Sequence, residues 1–303
     1  MRRRGSVSAW LAVVLLLFVG TAVAPAGEVR DMLGRRVVVP DRPLRIVSLA
    51  PSMTEIVYAL GMEDRLVGVT QYCDFPPQAK AKPRVGGIYT PSFEVILTLK
   101  PDLVLATSEG NREEHIQVLE RLRLPVYVVR PLDFQTVLES IERVGRVLGR
   151  EAAAGQLVAS MRTQADALAR GLETRRRPRV LYVLWGSPLI VPGRDTLITD
   201  LIRRAGGDSI TADEAAPYPR FSVEEVVLRR PDWIILARHG DASVDDRLRE
   251  WQHLTLLPAV RQGHVQAVDG DLVHRPGPRV VDGLRAIARI LHPGHPEHPD
   301  AVP

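Results

Sequence analysis

Ser92-Phe93-Glu94, followed nine positions on by Pro101-Asp102-Leu103-Val104-Leu105, has a counterpart in the same register: Ser222-Val223-Glu224, followed by Pro231-Asp232-Trp233-Ile234-Ile235. In each copy a serine is placed to cap a short helix and a proline to stop it. The apolar run beyond has the length of a buried strand. Helix, Pro-Asp and strand in succession is also a common α/β connection, so the pair alone leaves chance recurrence and duplication both open.

The surroundings of each copy read alike. Upstream and downstream of the first, strands are expected at Arg45 to Leu49, Leu66 to Val69, Leu103 to Ala106 and Val126 to Val129. Around the second they are expected at Val180 to Leu184, Ile234 to Leu236 and His264 to Val268, with helices near Thr196 to Ala205, Ser222 to Leu228 and Gly283 to Leu291. Ser52 and Glu55 have capping-box spacing, and Gly61 ends that helix. Strands alternating with helices imply parallel sheets covered on both faces. The expected fold is α/β, with two Rossmann-like lobes at 27–132 and 172–291 and a ligand cleft between them. The lobes are joined through 133–171, where Val137, Leu138, Ile141, Val144, Val147 and Leu148, then Leu157, Val158, Met161 and Leu168, keep helical spacing. That stretch predicts one long connecting helix, bent near Gly149, which permits only small hinge motion.

The chain opens with Arg2, Arg3 and Arg4, an apolar stretch from Trp10 to Gly20, and Ala24-Pro25-Ala26. These are the charged, apolar and cleavage regions of a secretory signal over 1–26, implying a soluble, periplasmic protein. The apolar run is short of the ~20 residues of a membrane span. Three of the 40 basic residues leave with the signal, against 36 acidic ones, so no excess of positive charge calls for nucleic acid. The single cysteine, Cys73, has no partner for an internal disulfide and reads as a buried, inert thiol. The stretch 292–303 is rich in proline and histidine and reads as a disordered tail, with His292, His295 and His298 a weak candidate metal site at most.

Open parallel sheets bind ligands beyond the carboxyl ends of their strands. The residues that follow the expected strands include Gln71 and Tyr72, Thr107 and Ser108, Trp185 and Gly186, Arg238 and His239, and Asp269 to Arg275. Aromatic surface, small residues and a few fixed charges suit a large, partly apolar ligand with polar edges. No G-x-S-x-G elbow, H-E-x-x-H helix, Walker A loop or early G-x-G-x-x-G occurs. The reading is therefore of a binding protein, with no catalytic residues, resident cofactor or metal. An exported metal-dependent hydrolase using Asp271 and His274 is the different-class alternative, and it lacks a third ligand at the usual spacing.

Three segments carry a family resemblance: Arg45-Ile46-Val47-Ser48-Leu49-Ala50-Pro51-Ser52 with Thr54-Glu55, Tyr72-Cys73-Asp74-Phe75-Pro76-Pro77-Gln78-Ala79, and Leu99-Lys100-Pro101-Asp102-Leu103-Val104. Together they resemble the periplasmic vitamin B12 (cobalamin)-binding proteins of ABC importers, over about Val29 to Leu291. The first segment is shared with siderophore and haem binders of the same superfamily, which remain the alternative. The second segment, with Asp271-Leu272-Val273-His274-Arg275 and Gly277-Pro278-Arg279, looks like the cobalamin branch.

The resemblance implies a ligand-contacting role for Tyr72, for the polar pair Asp271 and Arg275, and for Tyr218 in place of a second-lobe tryptophan. Two first-lobe tryptophans of the family correspond to Ile88 and Thr107, with Tyr89 beside them as a substitute aromatic face. Trp185 reads equally as core or cleft lining. His274 reads as a ligand to the bound metal or, more commonly for a loop histidine, as a hydrogen-bonded side chain. The resemblance further implies that Glu94 and Glu224 dock, one per lobe, onto an ABC permease dimer with its ATPase subunits, the membrane being reached only through that permease. Two like charges on two similar lobes suit a two-fold partner. Each glutamate also favours its helix N-terminus by about 0.3 to 1 kcal/mol.

Overall fold

The computed structural model describes residues 26–240 and 244–294. The signal segment 1–26 lies outside them except for Ala26, and so does the tail beyond Gly294. A short antiparallel ribbon, β1 (Ala26–Arg30) with β2 (Arg36–Pro40), precedes the first lobe. That lobe carries β3 (Ile46–Ser48), α1 (Pro51–Ala59), β4 (Leu66–Val69), α2 (Phe93–Thr98), β5 (Leu103–Thr107), α3 (Glu113–Arg121) and β6 (Val126–Val129). After α4 (Phe134–Val147) and α5 (Glu151–Leu172), the second lobe follows: β7 (Arg179–Val183), α6 (Leu197–Arg204), β8 (Asp208–Ser209), α7 (Val223–Arg229), β9 (Trp233–Arg238), α8 (Val244–Gln252), α9 (Pro258–Arg261), β10 (Val265–Asp269), α10 (Gly270–His274) and α11 (Val280–Leu291).

The first sheet runs β4-β3-β5-β6 and the second β10-β9-β7-β8, all pairs parallel. Counted from its own first strand, each sheet has the same order, 2-1-3-4, read from opposite edges. The strands are runs of Val, Ile and Leu buried on both faces, as helices on both sides of a parallel sheet require.

The duplication extends to atoms. Asp102 accepts backbone N–H bonds from Leu44 and Arg45 at 2.8 and 2.9 Å, and Asp232 accepts one from Arg179 at 2.9 Å. The Arg45 guanidinium donates to Leu99 O at 2.6 Å and that of Arg179 to Arg229 O at 2.7 Å. In both copies the residue before the Pro-Asp pair, Lys100 or Arg230, is left-handed, with φ of +45° and +47°. The helix therefore ends in a left-handed residue and the proline redirects the chain from there. Ser92 and Ser222 cap α2 and α7 by accepting from the N–H groups of Val95 and Glu225.

The connection differs from the single helix expected over 133–171. It is two helices, broken at Leu148–Arg150 with Gly149 at φ +65°. The bend expected near Gly149 is a full break, and α4 and α5 each bury an apolar stripe of their own. The two helices approach closely: a Cβ on Gly145 would stand 2.3 Å from that of Ala154, so only glycine fits there. The long helix between the lobes is α5 alone, about 33 Å at 1.5 Å per residue.

Two further expectations are corrected. Ser52 and Glu55 form no capping box, because α1 begins two residues earlier: Pro51, whose fixed φ suits a first turn, makes Ala50 the N-cap. Both residues then lie inside the helix and are buried. At the other end, His292 is not part of a solvated tail: it is buried, with Nε2 3.1 Å from Ala205 O. His295 and His298 lie outside the described residues.

One continuous apolar core runs from Val37 through α1, α4, α5 and α6 to Leu291. It crosses from one lobe to the other and adds packing to the covalent tie of α5. Cys73 is buried, its Sγ 3.1 Å from the hydroxyls of both Thr54 and Thr70, and burial pushes the thiol up.

Candidate ligand cleft

The loops after the parallel strands of the two lobes face each other, as strand polarity dictates. Between them lies a cavity of about 520 Å³. Its first-lobe wall is Tyr89, Ser108 to Arg112 and Pro131; its second-lobe wall is Leu184, Leu197, Ile198, Tyr218, Val273, His274 and Pro276. Of the residues singled out in the sequence, Tyr89, Tyr218 and His274 line it. Tyr218 leaves 43% of its surface open. Its hydroxyl is nonetheless recessed, and desolvation with Glu109 and Tyr89 nearby pushes it up to about 12.

His274 ends α10 with Nε2 2.8 Å from the hydroxyl of the fully buried Tyr182. Burial, with the neighbouring His239 ring at 5.0 Å, holds its imidazole down at about 3. At neutral pH it is an uncharged ring with one nitrogen already engaged. His239 is also held below its ordinary value, chiefly by burial and then by Arg247. Trp185 is neither core nor cavity wall. It is 54% exposed, its indole N–H donates to Ser187 O at 3.1 Å, and its ring leans on His239 at 6.4 Å.

Tyr72 is half exposed and lies against Gly87, in the loop cluster that carries Tyr89, without entering the cavity wall. Ile88 stands behind, its Cγ2 packed on Gly110. Thr107, expected on the cleft wall, is 1% exposed. Its hydroxyl accepts the Glu109 N–H at 3.2 Å and its own N–H donates to Asn111 Oδ1 at 2.9 Å. A threonine at the end of a strand closes the following turn with these bonds, so its contribution is to the loop's shape.

Asp271 and Arg275 also lie outside the wall, in a charged cluster that bridges the lobes. The Arg275 guanidinium meets Asp74 at 2.5 Å, Asp271 at 2.6 Å and Glu55 at 3.7 Å. Arg279 donates to both Glu55 oxygens and lies over the Phe75 ring at 4.0 Å. Burial alone would raise the Asp74 carboxyl; the hydrogen bond and charge of Arg275 hold it below its ordinary value. With Asp271 committed to Arg275 and His274 to Tyr182, the two residues of the hydrolase alternative are turned to other partners. Among the described residues no group of three His, Cys, Asp or Glu is placed to hold a metal ion.

The sequence reading missed Glu55, Asp74 and Arg279 as a bridge and Glu109 as a cavity residue. An acid inside an otherwise apolar helix face, Met53-Thr54-Glu55-Ile56-Val57, was the available sign for Glu55. Glu94 and Glu224 are both exposed, each the second residue of its helix, and α2 and α7 also leave Leu97 and Leu228 exposed. No helix among the described residues is long and apolar enough to cross a membrane.

Residues 46–272 match the model of a periplasmic binding protein family. The vitamin B12-binding protein of Vibrio cholerae is 32% identical over 247 residues, 82% of this chain and 88% of that one. That of Vibrio parahaemolyticus is 30% identical over 79% of this chain and 86% of its own length. Among solved structures, the periplasmic vitamin B12 binding protein of Vibrio cholerae superposes with a TM-score of 0.75 at 32% identity, covering 83% of this chain and 98% of that chain. A periplasmic heme-binding protein from Roseiflexus superposes with 0.73 at 26% identity, over 82% and 97%.

Proposed function

This chain belongs to the periplasmic binding protein family, and from that premise we propose that it is an exported, soluble receptor for cobalamin or a related corrinoid. It captures the ligand between its lobes and delivers it to an ABC permease dimer with its ATPase subunits. The observation that carries the reading is the cavity walled by Tyr89 from one lobe and Tyr218 from the other, at the carboxyl ends of both sheets. Aromatic faces from two sides suit a flat macrocycle, and the polar edge groups around them suit a ligand with peripheral hydrogen-bonding groups.

Two features of the cavity wall favour a corrinoid over haem. His274 has Nε2 engaged by Tyr182 and sits deep beside His239. The carboxylate of Glu109 on the same wall is unfavourable to the propionates of haem.

For delivery, Glu94 and Glu224 are the docking contacts, at equivalent positions of the two repeated helices, with exposed Leu97 and Leu228 beside them. The test of the ligand is spectroscopic. Protein incubated with cyanocobalamin and passed through a desalting column is expected to emerge red with the cobalamin spectrum. Protein incubated with haemin is expected to emerge without a Soret band. A Soret band and no cobalamin would reverse the choice.

A further inference from the structure

Glu109 is the cavity residue that neither the fold nor the cross-lobe ion cluster accounts for. Its carboxylate accepts from Ser108 Oγ at 3.2 Å, and no cation lies within 4 Å of it among the described residues. The loop that carries it is fixed on every side. Asn111 Nδ2 donates to Leu49 O at 3.0 Å and Ile88 O at 3.3 Å, while Asn111 Oδ1 and Thr107 Oγ1 accept from the turn's own N–H groups. Gly110, at φ +136°, is pressed against Ile88 so closely that a Cβ would stand 2.9 Å from its Cγ2. This restraint fixes the backbone from which the Glu109 side chain reaches the cavity wall, near Tyr218.

We propose that Glu109 is a specificity-determining residue, whose carboxylate accepts hydrogen bonds from amide or hydroxyl donors on the ligand's edge and rejects ligands whose edge carries carboxylates. The proposal rests on the corrinoid reading above and deepens it: a corrinoid ring bears primary amide side chains, which are donors, where haem bears propionates. Burial raises the Glu109 carboxyl, opposed by the Ser108 bond and the charge of Arg130. An acceptor already short of solvent gains most from a donor supplied by the ligand. Arg112 also borders the cavity but is exposed, where solvent and salt screen its charge.

The probes are cobinamide, with amide side chains, and cobyrinic acid, the same ring with carboxylates, titrated calorimetrically into the full chain. The wild type is expected to prefer cobinamide by about 100-fold or more. Glu109→Gln, which keeps the shape and removes the charge, is expected to shrink that preference at least about tenfold, mainly by improved binding of the acid. Glu109→Ala is the second variant and is expected to shrink it as well. Melting temperatures near that of the wild type separate a change in selectivity from a loss of fold. An unchanged preference in both variants overturns the proposal while leaving the corrinoid reading in place. Failure of the wild type to bind either ring, or cobalamin, overturns both.

Discussion

The guanidinium of Arg279, from the second lobe, holds the carboxylate of Glu55, from the first, through two hydrogen bonds of 2.6 and 2.9 Å. Glu55 is 3% exposed, so this contact is a charge pair removed from water at the junction of the lobes. Removing Arg279 leaves the buried Glu55 only the longer contact with Arg275 at 3.7 Å, and breaking one side of a buried pair costs up to about 3 to 5 kcal/mol. Arg279→Met is expected to lower the urea midpoint accordingly. The double variant Glu55→Met/Arg279→Met is expected to recover most of the loss. Equal losses in single and double variants would mean that packing of Arg279 on Phe75, and not the charge pair, is what the site contributes.

His274 gives the protein an acid-sensitive stability. In the unfolded chain a histidine takes up a proton near pH 6.5; in the folded protein burial delays that to about 3. Between those values the unfolded state binds more protons, so stability falls as pH falls. His274→Gln removes this contribution. Comparing denaturation at pH 7.5 and 5.0, the wild type is expected to lose about 1 to 2 kcal/mol more than the variant over this interval. Identical losses would mean that the imidazole titrates normally in the folded protein.

Tyr218 is expected to contribute through its ring. Tyr218→Ala weakens corrinoid binding by roughly 10- to 100-fold, the effect of truncating an aromatic anchor. Tyr218→Phe stays within a few-fold of wild type. If the phenylalanine variant fails as badly as the alanine one, the hydroxyl and not the aromatic face makes the contact.

The fold was legible because its signal is carried by apolar runs and their punctuation. Pro101-Asp102 and Pro231-Asp232 mark the same joint in both lobes, and buried parallel strands are short unbroken runs such as Leu103–Thr107. A bend near Gly149 was legible, but that it separates two helices was not, since apolar spacing says nothing about whether the segments on either side share one axis. Nor was β8, two residues without an apolar run. In the cleft, Tyr89 and Tyr218, which the family resemblance pointed to, line the cavity, whereas Tyr72 and Trp185, the aromatic residues that follow strands directly, stand outside its wall. Thr107 was misplaced because the residue at the end of a strand can point either into the cleft or back to brace its own loop. The partners of Arg275 and Arg279 come from residues about 200 positions away, a relationship that only the folded chain displays.

Charge reversal at the two repeated helices separates delivery from capture. Glu94→Lys/Glu224→Lys is expected to abolish ATP-driven uptake in a reconstituted importer while changing ligand affinity less than about twofold, since both residues are exposed and absent from the cavity wall. Uptake at the wild-type rate would remove these glutamates from the docking surface. A matching loss of affinity would place them in the capture step.

The cavity between Tyr89 and Tyr218 is the proposed corrinoid site. Isothermal titration of ligand-free, refolded protein with cobalamin, cobinamide, haem and a ferric siderophore tests it most directly. One-to-one binding of the corrinoids at micromolar concentration or below, with haem and siderophore weaker by at least about 100-fold, is the expected result. No corrinoid binding at micromolar concentration would contradict it.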